Sequence, residues 1–130
     1  MIKIILAEDN AIVRHGIIEL LNEQPDMEVV GEAKDALQTL KILENGLQTD
    51  IVLTDLNMPE MDGLGLTEQL RLVHPKIKVI ILTMHLRADF IERAIQAGAK
   101  GYVIKDGNIE HVYDAIRRVC AGESFVKGGL

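Results

Sequence analysis

Five short apolar runs constrain this chain most: KIILA (3–7), MEVVGEA (27–33), IVLTD (51–55), KVIILT (78–83) and GYVIK (101–105). Each is followed by a stretch whose apolar residues recur at helical spacing. Strands that are apolar throughout need cover on both faces, so their alternation with amphipathic helices implies a parallel sheet between two helical layers. Right-handed crossovers then give a doubly wound, five-stranded, three-layer αβα sandwich of five βα units.

The helix boundaries follow from caps and breakers. Asn10 is placed to cap a helix running to about Asn22, with Val13, Ile17, Leu20 and Leu21 on one stripe. Asp35 caps a second, carrying Leu37, Leu40 and Leu43 and stopped by Asn45-Gly46. A third carries Leu66, Leu70 and Val73 and ends before Pro75. Asp89 opens a fourth, with Ile91, Ala94 and Ile95, ended by Gly98; Asn108 caps a fifth, with Ile109, Val112, Ile116 and Val119, stopped at Gly122. Gly63-Leu64-Gly65 follows the wrong strand for a phosphate-cradling glycine motif and lacks a third glycine, so it reads as a turn. The tail ESFVKGGL after Gly122 reads as unanchored.

At 130 residues, 48% hydrophobic and 26% charged, the chain is expected to form one globular domain. A net charge of −6 argues against direct contact with nucleic acid or anionic membrane, which need a concentrated basic face. No apolar run approaches the roughly 20 residues of a membrane span. The N-terminus MIKIILAEDN carries acids where a signal peptide would be cleaved, so a cytoplasmic location is expected. A single cysteine, Cys120, fits a reducing compartment and reads as a packing residue. His15, His74, His85 and His111 have no metal-ligand spacing.

In a doubly wound sheet the ligand site lies beyond the carboxyl ends of the strands. Those ends here carry Glu8 and Asp9, Asp55, Thr83 and Lys105. Three carboxylates brought together repel one another unless a cation joins them. Mg²⁺ suits them, because it takes one or two carboxylates, keeps waters and uses phosphate oxygens, and a backbone carbonyl just after Asp55 can complete the set. Asp55 can then act as a nucleophile toward a phosphoryl group, with Lys105 and Thr83 stabilising the charge that develops.

In this order and spacing the residues resemble the receiver domain of two-component response regulators, over nearly the whole chain. The matching fragments are Glu8-Asp9, LTDLNMPEMDG around Asp55, ILTMH at Thr83, and AGAKGYVIKD with Tyr102 and Lys105. The last is most similar to receivers of the NarL/FixJ type, which precede a LuxR-type helix-turn-helix. The resemblance implies a flavodoxin-like fold and a phosphorylation-activated signalling domain rather than a turnover enzyme. It implies Asp55 as phosphoacceptor, Mg²⁺ held by Glu8, Asp9, Asp55 and the Asn57 carbonyl, and Thr83 and Lys105 on the phosphoryl group. Thr83 and Tyr102 would be the switch pair. Implied partners are a sensor histidine kinase, a second copy on phosphorylation, and DNA only through an output domain absent from this chain, with no membrane. Residues 1–122 would be the receiver, and 123–130 a tail or the start of a linker.

Two positions depart from the family pattern. Met84 stands where many receivers have a small residue, which with His85 places both at the access to the phosphoryl pocket. Asp106 stands where many have proline, so the 105–106 bond is expected trans. The main alternative is a Mg²⁺-dependent phosphatase with an aspartate nucleophile, but such enzymes place it after the first strand as D-x-D, whereas here the third strand leads into Asp55-Leu56-Asn57. A nucleotide-binding Rossmann domain is disfavoured by the acidic first turn AEDNAIV. A receiver-like domain that works without phosphorylation is disfavoured by the intact reactive set.

Overall fold

In the computed structural model, the described residues are 1–84, 87–106 and 108–127, with the backbone alone at Lys127. The strands are β1 Ile2–Ala7, β2 Met27–Ala33, β3 Ile51–Asp55, β4 Lys78–Thr83, β5 Gly101–Ile104 and β6 Phe125–Lys127. Between them run the helices α1 Ala11–Asn22, α2 Ala36–Glu44, α3 Gly63–Val73, α4 Ala88–Ala97 and α5 Ile109–Cys120. The sheet order is β2-β1-β3-β4-β5-β6, and every pairing is parallel.

Alternation along each strand divides the apolar residues between two cores. Ile5, Val52, Val79, Ile81 and Tyr102 pack with Leu43, Leu66, Leu70, Ile91 and Ala94 of α2, α3 and α4. Their neighbours Ile4, Leu6, Ile51, Leu53, Ile80, Leu82 and Val103 pack with Leu21, Val112, Ile116 and Val119 of α1 and α5. The helices therefore cover both faces, as expected for apolar parallel strands.

Three expectations need correction. The sheet has six strands rather than five, because Phe125–Lys127 leaves the expected tail and pairs with β5. Gly122, at φ +97°, turns the chain after α5, and Phe125 N–H donates to the Lys100 carbonyl at 2.9 Å. A three-residue strand behind Gly and Ser carries too little pattern to read, yet it covers hydrogen-bonding groups on the edge of β5. Gly63-Leu64-Gly65 begins α3 rather than forming a turn, with Asp62 as the cap that accepts from Gly65 N–H at 2.8 Å. Asp89 lies in the first turn of α4 and pairs with Arg87 at 3.2 Å instead of capping the helix.

The other caps stand as expected: Asn10, Asp35 and Asn108 each accept backbone N–H donors with their side chains. Gly98 closes α4 in the left-handed region. Of the apolar residues assigned to helix stripes, Val13, Leu20, Leu37, Val73 and Ile95 are exposed. Val13 and Leu20 instead wall an apolar groove of about 290 Å³ between α1 and α5.

The α1 and α5 layer is pinned at its lower end. The Tyr113 hydroxyl donates to the Leu20 carbonyl at 2.9 Å. Arg117 Nε and Nη2 clasp Asp26 at 2.9 and 3.1 Å, and Nη2 also donates to Gln24 Oε1 at 2.7 Å. The Arg117 hydrogen bonds hold the Asp26 carboxyl below its usual range. A lowered carboxylate pKa stabilises the fold above the unfolded value and loses that contribution as pH falls through the folded value. Arg117→Met should therefore be less stable than wild type near neutrality, by under about 1 kcal/mol because the pair is solvent-accessible. The gap should begin to narrow as pH falls below about 4 and vanish below the lowered folded value. Urea unfolding across that range tests this, and a constant gap would remove the ion pair as its cause.

Candidate functional site

The parallel sheet brings the carboxyl ends of β1, β3, β4 and β5 to one rim. Glu8 follows β1 directly, and its N–H donates to the Ala33 carbonyl at 3.0 Å, closing the end of β2. Its side chain is buried, with 2% of its surface exposed. Lys105 Nζ donates to Glu8 Oε1, and Asn10 N–H donates to Glu8 Oε2 at 3.1 Å. The same ammonium lies 3.3 Å from Asp55 Oδ2, at the end of β3. Lys105 is itself anchored by its N–H, which donates to the Thr83 carbonyl at 2.6 Å.

Asp9 is the exposed member of the group. One carboxylate oxygen from each of Glu8, Asp9 and Asp55 falls within 4.8 Å of the others. Burial raises the Glu8 carboxyl above its usual range, and the Asp55 charge pushes the same way. The Lys105 hydrogen bond and charge and the Asn10 N–H oppose that rise without cancelling it. Three hard oxygen donors with excess negative charge fit a divalent oxygen-seeking cation.

Thr83, fully buried, ends β4 in register with Ile104 of β5. Tyr102 pairs in register with Ile81 and is 1% exposed, turned into the core beneath α4. Burial, with a smaller contribution from Asp89, raises its phenol pKa, so the hydroxyl remains protonated. Asn57 is exposed in the loop after β3. Met84 is 64% exposed and lines the mouth of the α1–α5 groove with Lys105 and Ile104. His85, expected beside it, lies outside the described residues. The Lys105–Asp106 peptide is trans.

The structure thus brings Lys105 onto Glu8 and Asp55, with an Asp9 oxygen within 4.8 Å of theirs and Thr83 on the neighbouring strand end. Sequence reasoning missed two residues behind them. Thr54 is a buried hydroxyl in an apolar strand, and Gly63 lies against the Asp55 carbonyl. A threonine in a strand carries no signal of its own. The glycine immediately after a helix-capping aspartate was the available clue.

Comparison with known proteins agrees with this geometry. The response regulator receiver domain family matches residues 4–117. The chain is 37% identical over 126 residues to Response regulator GacA of Pseudomonas aeruginosa, covering 97% of this chain and 58% of that protein. It is 38% identical over 126 residues to Oxygen regulatory protein NreC of Staphylococcus epidermidis, covering 95% and 57%. Among solved structures, a LuxR-family two-component response regulator from Aurantimonas sp. SI85-9A1 superposes with a TM-score of 0.90 at 33% identity, over 95% of this chain and 87% of that one. The isolated receiver domain of RcsB from Salmonella enterica serovar Typhimurium, solved with the phosphomimetic BeF3-, gives 0.88 at 27%, over 97% and 93%.

The chain belongs to the response regulator receiver family, and is a signalling domain of two-component systems rather than a turnover enzyme. It spans somewhat over half the length of these curated relatives.

The ion pairs make the metal-free site dependent on Lys105. Lys105→Ala leaves buried Glu8 without its cation and should cost roughly 1–3 kcal/mol of stability in chelator. Urea unfolding measures this; wild-type stability would mean that Glu8 draws its support from elsewhere.

Proposed function

We propose that Asp55 accepts a phosphoryl group from the phosphohistidine of a sensor histidine kinase. The observation that carries this is the placement of Asp55 at the end of β3, 3.3 Å from Lys105 Nζ and within one oxygen cluster with Glu8 and Asp9. An Asp55 carboxylate oxygen attacks phosphorus, the P–N bond breaks, and its electron pair stays on the imidazole of the kinase. The product is an acyl phosphate on Asp55. Lys105 remains beside the reacting oxygens as a fixed positive charge, and the Thr83 hydroxyl donates to a phosphoryl oxygen. The carboxylates of Glu8, Asp9 and Asp55 and the Asn57 carbonyl would hold Mg²⁺, which would supply positive charge to offset that of the phosphoryl oxygens.

Thr83 and Tyr102 form the switch in this reading, with Thr83 drawn toward the phosphoryl group and Tyr102 moving with it. Turning a 1:99 equilibrium into 99:1 takes about 5.5 kcal/mol of differential stabilisation. Charge-assisted hydrogen bonds at roughly 1.5–3 kcal/mol each can supply this between them. The output we propose is transcription control through a C-terminal DNA-binding domain, with pairing of two copies as part of activation. The lengths of the relatives and the LuxR-family similarity support that output. In this reading residues 1–122 form the body of the receiver, β6 extends its sheet through Lys127, and a linker to such a domain would follow. The described residues include no helix long and apolar enough to cross a membrane. We place the protein in the cytoplasm, where its kinase partner would present phosphohistidine.

Acetyl phosphate with Mg²⁺ should add one phosphoryl group to the wild type and none to Asp55→Asn, read by intact mass. An undiminished adduct in that variant would move the acceptor elsewhere. Asp9→Ala should abolish both Mg²⁺ binding, followed by calorimetry, and labelling; an unchanged affinity would displace the metal site. Met84 we place at the access to the pocket, where its thioether obstructs water. Met84→Ala should shorten the lifetime of the phosphorylated protein several-fold, on the order of 1 kcal/mol off the barrier. Equal decay rates would show that the methionine guards nothing.

A further inference from the structure

Resting on the phosphoacceptor reading, we propose that Thr54 is a positioning residue for phosphoryl acceptance, acting through a buried clamp it forms with Gly63 and Thr67 on the backbone of Asp55. Thr54 is fully buried in β3, where its neighbours are Ile51, Val52 and Leu53. A valine would fill the same volume there without a polar atom to satisfy, and a buried hydroxyl costs stability unless it is hydrogen-bonded. The Thr54 hydroxyl donates to the carbonyl of Asp55 at 3.0 Å, and Met58 Sδ lies 3.8 Å from the same oxygen atom.

The first residue of α3 also packs against that carbonyl. A Cβ on Gly63 would fall 2.4 Å from the Asp55 carbonyl oxygen and 3.1 Å from the Leu56 Cα, so glycine alone permits the approach. Gly63 N–H donates to the Leu56 carbonyl at 2.8 Å. The Gly63 carbonyl in turn accepts from the buried Thr67 hydroxyl at 2.7 Å. The peptide unit between Asp55 and Leu56 is therefore held by the buried Thr54 hydroxyl and by the close approach of buried Gly63.

That plane matters because the peptide unit is rigid. Fixing that unit holds the Asp55 Cα against shifts, and with β3 holding the preceding residues it fixes the Cα–Cβ direction from which the carboxylate projects toward Lys105. It also sets the start of the loop that carries the Asn57 carbonyl. An attacking carboxylate must hold its approach to phosphorus within narrow limits, and small misplacements lower the rate without lowering donor binding. Thr54 touches none of the reacting atoms and acts only through the backbone of Asp55.

Two substitutions separate positioning from packing. Thr54→Val removes the hydroxyl and keeps the volume, whereas Thr54→Ser keeps the hydroxyl and removes a buried methyl. Labelling by acetyl phosphate in saturating Mg²⁺, followed by intact mass over a range of donor concentrations, gives the maximal rate and half-saturation of each. Thr54→Val should label with a maximal rate lower by about fivefold and with an unchanged half-saturation. Thr54→Ser should retain the wild-type rate although urea unfolding shows it to be the less stable of the two. A Thr54→Val protein labelling at the wild-type rate, or a Thr54→Ser protein as slow as Thr54→Val, overturns the positioning role while the phosphoacceptor stands. Failure of the wild type to label at all, or labelling that persists in Asp55→Asn, overturns the phosphoacceptor reading and the clamp's role with it.

Discussion

The ammonium of Lys105 is the interaction on which the site depends. It bridges a buried carboxylate, Glu8, and the strand-end carboxylate of Asp55, which belong to β1 and β3. Without a cation between them the two acids and their neighbour Asp9 would repel, and the Glu8 pKa, already raised by burial, would be pushed further up. One positive charge from a third strand thus lets the acids share a rim. The bridge is partial, because Asp9 remains outside it and exposed. The remaining negative charge is what a divalent cation can answer.

This arrangement follows from strand parallelism. When all strands run the same way, every carboxyl end meets at one edge, and residues distant in sequence become neighbours. Lys105 and Glu8 are 97 positions apart, yet one donates to the other. Beneath the rim the strands are buried on both faces, so their ends have little freedom to spread. The Lys105 N–H bond to the Thr83 carbonyl ties the cation to the strand end that carries the hydroxyl. The β4–β5 register sets Thr83 opposite Ile104 and Ile81 opposite Tyr102, so the proposed switch pair stands on adjacent strands.

Much of this was legible in the residues. The apolar runs defined β1 to β5, and Asn10, Asp35 and Asn108 marked helix starts because each offers a side-chain acceptor to the first turn. Glu8, Asp9, Asp55, Thr83 and Lys105 were readable as a set because each stands where an apolar run stops. What escaped was carried by three-dimensional contact alone. The β6 strand is defined by the available edge of β5 more than by its three residues. Gly63 looked like a turn because its requirement is proximity to the Asp55 backbone, which no local pattern records. Val13 and Leu20 fitted an apolar stripe, but the stripe is wider than the contact that α1 makes, and the surplus lines a groove.

On the proposed phosphoacceptor reading, the same geometry suits signalling better than turnover. Rapid hydrolysis of an acyl phosphate needs a base placed to activate water. Glu8 is the buried acid nearest in kind, but both of its oxygens are engaged, one by Lys105 and the other by the Asn10 N–H. Asp9 belongs to the oxygen cluster that fits a divalent cation, which leaves it poorly suited to act as a base. Lys105 is a donor and offers no lone pair while it is charged. Among the described residues, then, the groups around Asp55 favour formation of the acyl phosphate and contribute little to its hydrolysis. A modification that forms readily and decays slowly can persist long enough to alter the surface that a partner reads, and this asymmetry follows from where the charges of Glu8 and Lys105 are already committed.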